Sequence, residues 1–203
     1  MSLRAELIGA TETDPAFAVL LPDGWEGDDA GFGEMDARLD AALAQLPIAS
    51  RGAARARMRD ILATARTEAA RADVIRVFTP SRSTGEEPPP VTLVASWVTA
   101  PAGATVAAMG ADLIRRRDAR PLDPGQTIIT WSTDSSSESD GTVVDVAGSG
   151  YLLRVPGSTR KALVFRSTML RAVGETTIAD EGIAAMSLLC DAIVASVRWR
   201  HDA

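Results

Sequence analysis

Apolar positions repeat with two different periods along this chain. From residue 16, AFAVLLP is a short apolar run stopped by Pro22, and Pro-Asp-Gly turns the chain after it; the run predicts a strand. Met35, Leu39, Leu43 and Leu46 then recur at helical spacing, and Pro47 ends that helix. Ser50 is placed to cap a second helix running to about Ala72. Its apolar face is Ala54, Met58, Ile61, Leu62, Ala65 and Ala69, with arginines opposite. VIRVF (74–78) alternates with period two, and VTLVASWVT (91–99) is rich in β-branched residues, so both read as strands. The segment between them, SRSTGEEPPP, predicts an exposed hairpin connection.

A third helix is expected over Thr105 to Arg117, with Val106, Met109, Leu113 and Ile114 as its buried stripe. Beyond Pro121 the pattern is all strand: TIITWST (127–133), GTVVDVA (141–147), GYLLRVP (150–156) and KALVFRST (161–168). Turn-rich segments between them predict an antiparallel meander. Thr177 to Arg198 closes the chain as a helix, burying Ile183, Met186, Cys190, Ile193 and Val197, with Leu189 and Val194 alongside. One antiparallel sheet with helices on its faces accommodates every element, so the expected class is α+β in a single domain over residues 1–203.

Charge narrows the partners. The net charge of -6 argues against nucleic acid and anionic membrane, which attract basic surfaces. Acids crowd residues 1–40, where Arg4 and Arg38 are the bases. Arg51, Arg55, Arg57, Arg59, Arg66 and Arg71 face only Asp60 and Glu68 over 51–71. Lys161 is the single lysine, and that bias with abundant alanine marks a GC-rich bacterial genome. The start of the chain lacks the pattern of a cleaved signal, and no window has the ~20 apolar residues of a membrane span, so the cytoplasm is the expected location.

The residues for turnover are scarce. His201, the lone histidine, stands near the chain end, where geometry is seldom fixed. Cys190 is the lone cysteine and falls on an apolar stripe, so it reads as a small hydrophobe, and a zinc site built from His and Cys is excluded by count. Asp134, Glu138 and Asp140 in DSSSESDG miss the calcium-loop spacing and read as a turn. RRRDAR (115–120) offers phosphate or acidic-partner recognition, against the simpler reading of a solvated helix end. No phosphate loop is present. Catalytic, cofactor-binding and metal-binding residues are therefore not assigned.

Trp25, Trp97, Trp131 and Trp199 each sit near the end of an element and read as packing anchors. The opening Pro22-Asp23-Gly24-Trp25 after a first strand resembles that of the PsbP-like superfamily, which includes photosystem oxygen-evolving subunit P, Ran-binding Mog proteins and LpqN-type lipoproteins. The closing order, strand GYLLRVP, strand KALVFRST and helix MSLLCDAIVASVRW, is similar too. The resemblance implies an α-β-α sandwich around a central antiparallel sheet, in a group of mostly binding or assembly modules. In that setting Trp25 would fold back over the end of the core while the acids after it keep a loop solvated. The expected function is a non-enzymatic protein-binding or assembly module that uses Trp25, Glu26, Asp28, Asp29, Arg55, Arg59 and Arg66, with self-association as another use of the same charge split. The alternative is a small-ligand-binding protein or a carboxylate-dependent hydrolase or lyase, with a pocket between sheet and helices.

Overall fold

The computed structural model describes residues 14–29, 63, 66–80, 91–139, 142–173 and 176–200. The helix expected at 32–46 lies outside them, as do the connection 81–90, His201 and most of the helix expected at 50–72. Residues 66–71 of that last segment are helical.

The strands are β1 (Phe17–Ala18), β2 (Trp25–Asp29), β3 (Val74–Pro80), β4 (Val91–Thr99), β5 (Arg120–Pro121), β6 (Ile128–Ser132), β7 (Ser135–Ser139), β8 (Thr142–Arg154), β9 (Lys161–Val173), β10 (Thr176–Thr177) and β11 (Arg198–Trp199). The helices are α1 (Val106–Arg117) and α2 (Asp180–Ala195). The main sheet runs β2-β3-β4-β9-β8-β6-β5, with every pair antiparallel; β7 also pairs with β8, and β10 with β9. The α+β class and the helix-flanked antiparallel sheet are as the periodicities predict.

The two faces of the sheet carry different helices. Phe78, Leu93, Leu163, Phe165 and Met169 pack against Ile183, Met186, Cys190, Ile193 and Val194 of α2. Val106 of α1, with Met109 and Leu113, covers Leu152, Ala162 and Val164 on the other face. Thr105 caps α1 by accepting the Ala108 N–H at 3.2 Å, and Asp118 ends it in the left-handed conformation. Ile114, expected in the buried stripe, is 48% exposed, because Gly110 comes closest to the sheet: a Cβ there would lie 2.8 Å from Ile129 Cδ1.

Other expectations change too. The first apolar run gives only a two-residue strand, which pairs with β11 in a separate ribbon. Leu20 is exposed there, and its N–H donates to Ser196 Oγ rather than to a sheet neighbour. The last helix is shorter than 177–198. Thr177 belongs to β10, and at the other end the Ser196 hydroxyl donates to the Ile193 carbonyl and closes α2 before β11. Where the sequence predicts two strands, Thr142–Arg154 is one strand, β8, running across Gly148 and Gly150. These glycines mark close approach, not a turn: a Cβ on Gly150 would fall 2.2 Å from the Trp131 ring, and one on Gly148 would fall 2.5 Å from the Ser167 carbonyl oxygen. Finally, 134–141 is mostly strand. β7 continues β6 along the same side of β8, and the Asp134 carboxylate accepts the Gly148 N–H at 3.1 Å where the two strands break.

Candidate functional site

Registry sets the floor of the candidate site. One rung of the sheet reads Ser132, Ser149, Ser167, Leu93, Phe78 and Gly27, all on the α2 face. Along this rung the face is polar on β6, β8 and β9 and apolar on β4 and β3. α2 seals the apolar part with its buried stripe. Its neighbouring stripe, Asp180, Ala184, Ser187 and Asp191 at helical spacing, borders an open cleft of about 550 Å³ above the polar part. Thr130, Ser132, Ala147 and Ser149 lie beneath it, with Arg117 and Arg120 at one end and Arg171 at the other. Asp180 to Asp191 spans about 16 Å at the helical rise. The cleft is therefore a trench.

Below the trench lies a hydrogen-bonded layer. The Tyr151 hydroxyl donates to Asp191 Oδ1 at 2.7 Å, and the Ser149 N–H donates to Ser167 Oγ at 2.9 Å. Burial and then the Asp191 carboxylate raise the Tyr151 phenol well above its ordinary range. Cys190 is fully buried, and its thiol is pushed up to about 12 by burial first and Asp191 second. A thiol held neutral in this way is not a nucleophile at physiological pH.

The charges of the trench differ in their engagements. Asp134 is held by Gly148 N–H and Asp191 by Tyr151. Arg115 and Arg116 both pair with Asp112 on the exposed side of α1, whereas Arg117, Arg120 and Arg171 make no ion pair among the described residues. Arg171 stands at a bulge: Val146 pairs with Leu170 and Asp145 with Ala172, leaving Arg171 as the extra residue. Its backbone carbonyl accepts the Ile178 N–H at 2.8 Å, and its half-buried side chain has Nε sealed from solvent without an acceptor.

The residues singled out in the sequence lie elsewhere. Pro22 to Trp25 is a turn closed by the Trp25 N–H and the Pro22 carbonyl at 3.1 Å, with Gly24 at φ 77°. Trp25 packs against the core as expected, but WEGDD is the strand β2, not a solvated loop. Gly27 makes this possible, because the Phe78 ring occupies the space a Cβ would need, 2.9 Å away. Asp29 pairs with Arg76 at 3.3 Å, and Glu26 and Asp28 are half-buried. This group is at the β2 edge of the sheet, opposite the trench. Arg66 is helical and half-buried, and Arg55 and Arg59 lie outside the described residues. Trp97 is in the core, and Trp131 is half-buried against the α1 layer. Of the segments weighed in the sequence, RRRDAR reaches the trench through Arg117, Asp118 and Arg120, and DSSSESDG through Asp134. The signal for the remainder was the same-face recurrence of Thr130, Ser132, Ser149 and Ser167, and the 4-3-4 spacing from Asp180 to Asp191.

Among the described residues, no group of three His, Cys, Asp or Glu is placed to hold a metal ion, and no helix is long and apolar enough to cross a membrane. No protein-family model matches the chain, and no curated protein matches it. Among solved structures, a mutant of protein Mog1 is similar: 12% identical, covering 90% of each chain, with a TM-score of 0.47. A likeness of this degree carries no ligand or partner over to this chain.

Proposed function

We propose that this chain is a single-domain, non-catalytic binding module of the bacterial cytoplasm, and that its trench receives an extended segment of a partner protein. The observation that carries the reading is the shape and lining of the trench. A length of about 16 Å accommodates roughly five residues of extended chain at ~3.3 Å each. The hydroxyls of Thr130, Ser132, Ser149 and Ser187 suit a polar backbone, and Ala147, Ala184 and Ile183 give apolar contact between them. Such lining, apolar surface with a few placed polar groups, is typical of recognition sites.

The test is a photo-crosslinking residue in place of Ser187 in the full chain, produced in its native cell. A second version carries the crosslinker in place of Arg166, exposed on the other face of β9. Illumination should give a protein adduct of discrete mass from position 187 and not from 166. An absence of adducts at 187, or the same adducts from both positions, overturns the reading. A small molecule retained in native mass spectrometry and displaced by substitutions at Ser149 would transfer the trench to a small ligand instead.

A further inference from the structure

The geometry points to Arg171 as an anion-reading position in the trench, selecting a partner segment that carries an acidic side chain. The inference rests on the reading of the trench as a segment-binding site and adds the chemistry of what it selects.

Two observations support it. Arg171 lines the trench end: on β9 it continues the every-second-residue face of Ser167 and Met169, at the point where the bulge interrupts the pairing with β8. It makes no ion pair or side-chain hydrogen bond among the described residues, although it is half-buried and its Nε is sealed from water. A partly desolvated guanidinium without an acceptor gains more from an incoming carboxylate than an exposed one does, because water screens it less. Its planar fork matches two carboxylate oxygens at once.

Four aspartates share the lining and keep their negative charge, so the selection lies in the local desolvation of Arg171 and not in the net charge of the trench. Asp134 is committed to the Gly148 N–H and Asp191 to the Tyr151 hydroxyl. Asp118 and Asp180 are exposed at the rim, where solvent weakens their fields. Arg117 and Arg120 add positive charge at the far end. A segment lying along α2 thus meets its least-screened positive charge at Arg171.

Fluorescence polarisation with labelled pentapeptides of Ala and Ser, blocked at both ends, tests this on the full chain. One guest residue, Glu, Lys or phosphoserine, is placed at each position in turn. Glu peptides should bind at least tenfold tighter than Lys peptides. R171Q should abolish the preference, R171K should weaken it, and R166Q should leave it intact, with thermal melts confirming that each variant is folded. The inference is overturned by equal binding of Glu and Lys peptides, by a preference that survives R171Q, by binding of phosphoserine peptides alone, or by no binding of any peptide. If the crosslink from position 187 still forms in those cases, segment binding stands and only the acidic selection fails; if it too is lost, both fall.

Discussion

The hydroxyl of Tyr151, in the second half of β8, donates to Asp191 Oδ1 on α2 across 2.7 Å. This bond ties the floor of the trench to its wall. Tyr151→Phe should lower unfolding free energy by about 1–3 kcal/mol, since it strips a partly buried carboxylate of its donor. Urea denaturation measures it; an unchanged midpoint would mean that the bond holds nothing together. Tyr151 is the chain's only tyrosine, so alkaline titration is clean. Its raised ionisation means that the folded state keeps the proton longer than the unfolded chain. That stability is full below the ordinary phenol value near ~10 and declines as pH rises above it. Phenolate absorbance should therefore appear only together with unfolding.

Cys190 should be silent in the native protein. With no exposed surface and its thiol pushed up to about 12, it offers neither access nor thiolate at pH 8. A thiol-specific chromogenic disulfide should react over hours in buffer and within minutes in denaturant. Stoichiometric reaction within seconds in buffer would refute this burial.

Two glycines should respond differently to alanine. Gly150→Ala drives a methyl into the Trp131 ring, 2.2 Å away, and an indole cannot slide aside without opening the α1 layer; a loss of about 1–3 kcal/mol is expected. Gly110→Ala meets only the Cδ1 end of Ile129 at 2.8 Å, and it gains about 1 kcal/mol of helix propensity. Its net effect should lie close to zero. Thermal melts of the two variants give the comparison, and equal losses would contradict it.

Asp123 organises the turn from β5 to β6. It accepts the Ile128 N–H and the Thr127 hydroxyl, each at 2.8 Å. Partial burial pushes its carboxyl up, but these donors outweigh burial and hold it below the usual value. A depressed carboxylate contributes stability above its unfolded value near ~3.9, and the contribution fades as pH falls through the lower folded value. Asp123→Asn should be less stable than the parent at pH 7 and should converge with it in strong acid. A gap that stays constant with pH would show that charge is irrelevant there.

The strands and helices were legible because period two and period 3.6 survive in VIRVF, VTLVASWVT and the buried stripe from Ile183 to Val197. Glycine misled the reading at 148–150, since nothing local separates a turn glycine from one that makes room for an indole across the sheet. WEGDD was misread for a related reason: polarity suggested a loop, but an edge strand needs only one buried contact, and Trp25 with the Phe78 ring over Gly27 supplies it. The trench was mostly illegible. Ser132, Ser149 and Ser167 become neighbours only through pairing of three strands, and the bulge at Arg171 is a property of registry, not of any short motif.

β8 places Gly150 beneath one layer and Ser149 and Tyr151 beneath the other. Removing a single residue from this stretch would exchange the two faces: hydroxyls would press on the indole while bare backbone faced the trench. Lineages of this protein should therefore accept insertions and deletions beyond the strand ends and purge them here, so that the length of one short segment records selection on the site as faithfully as its side chains do.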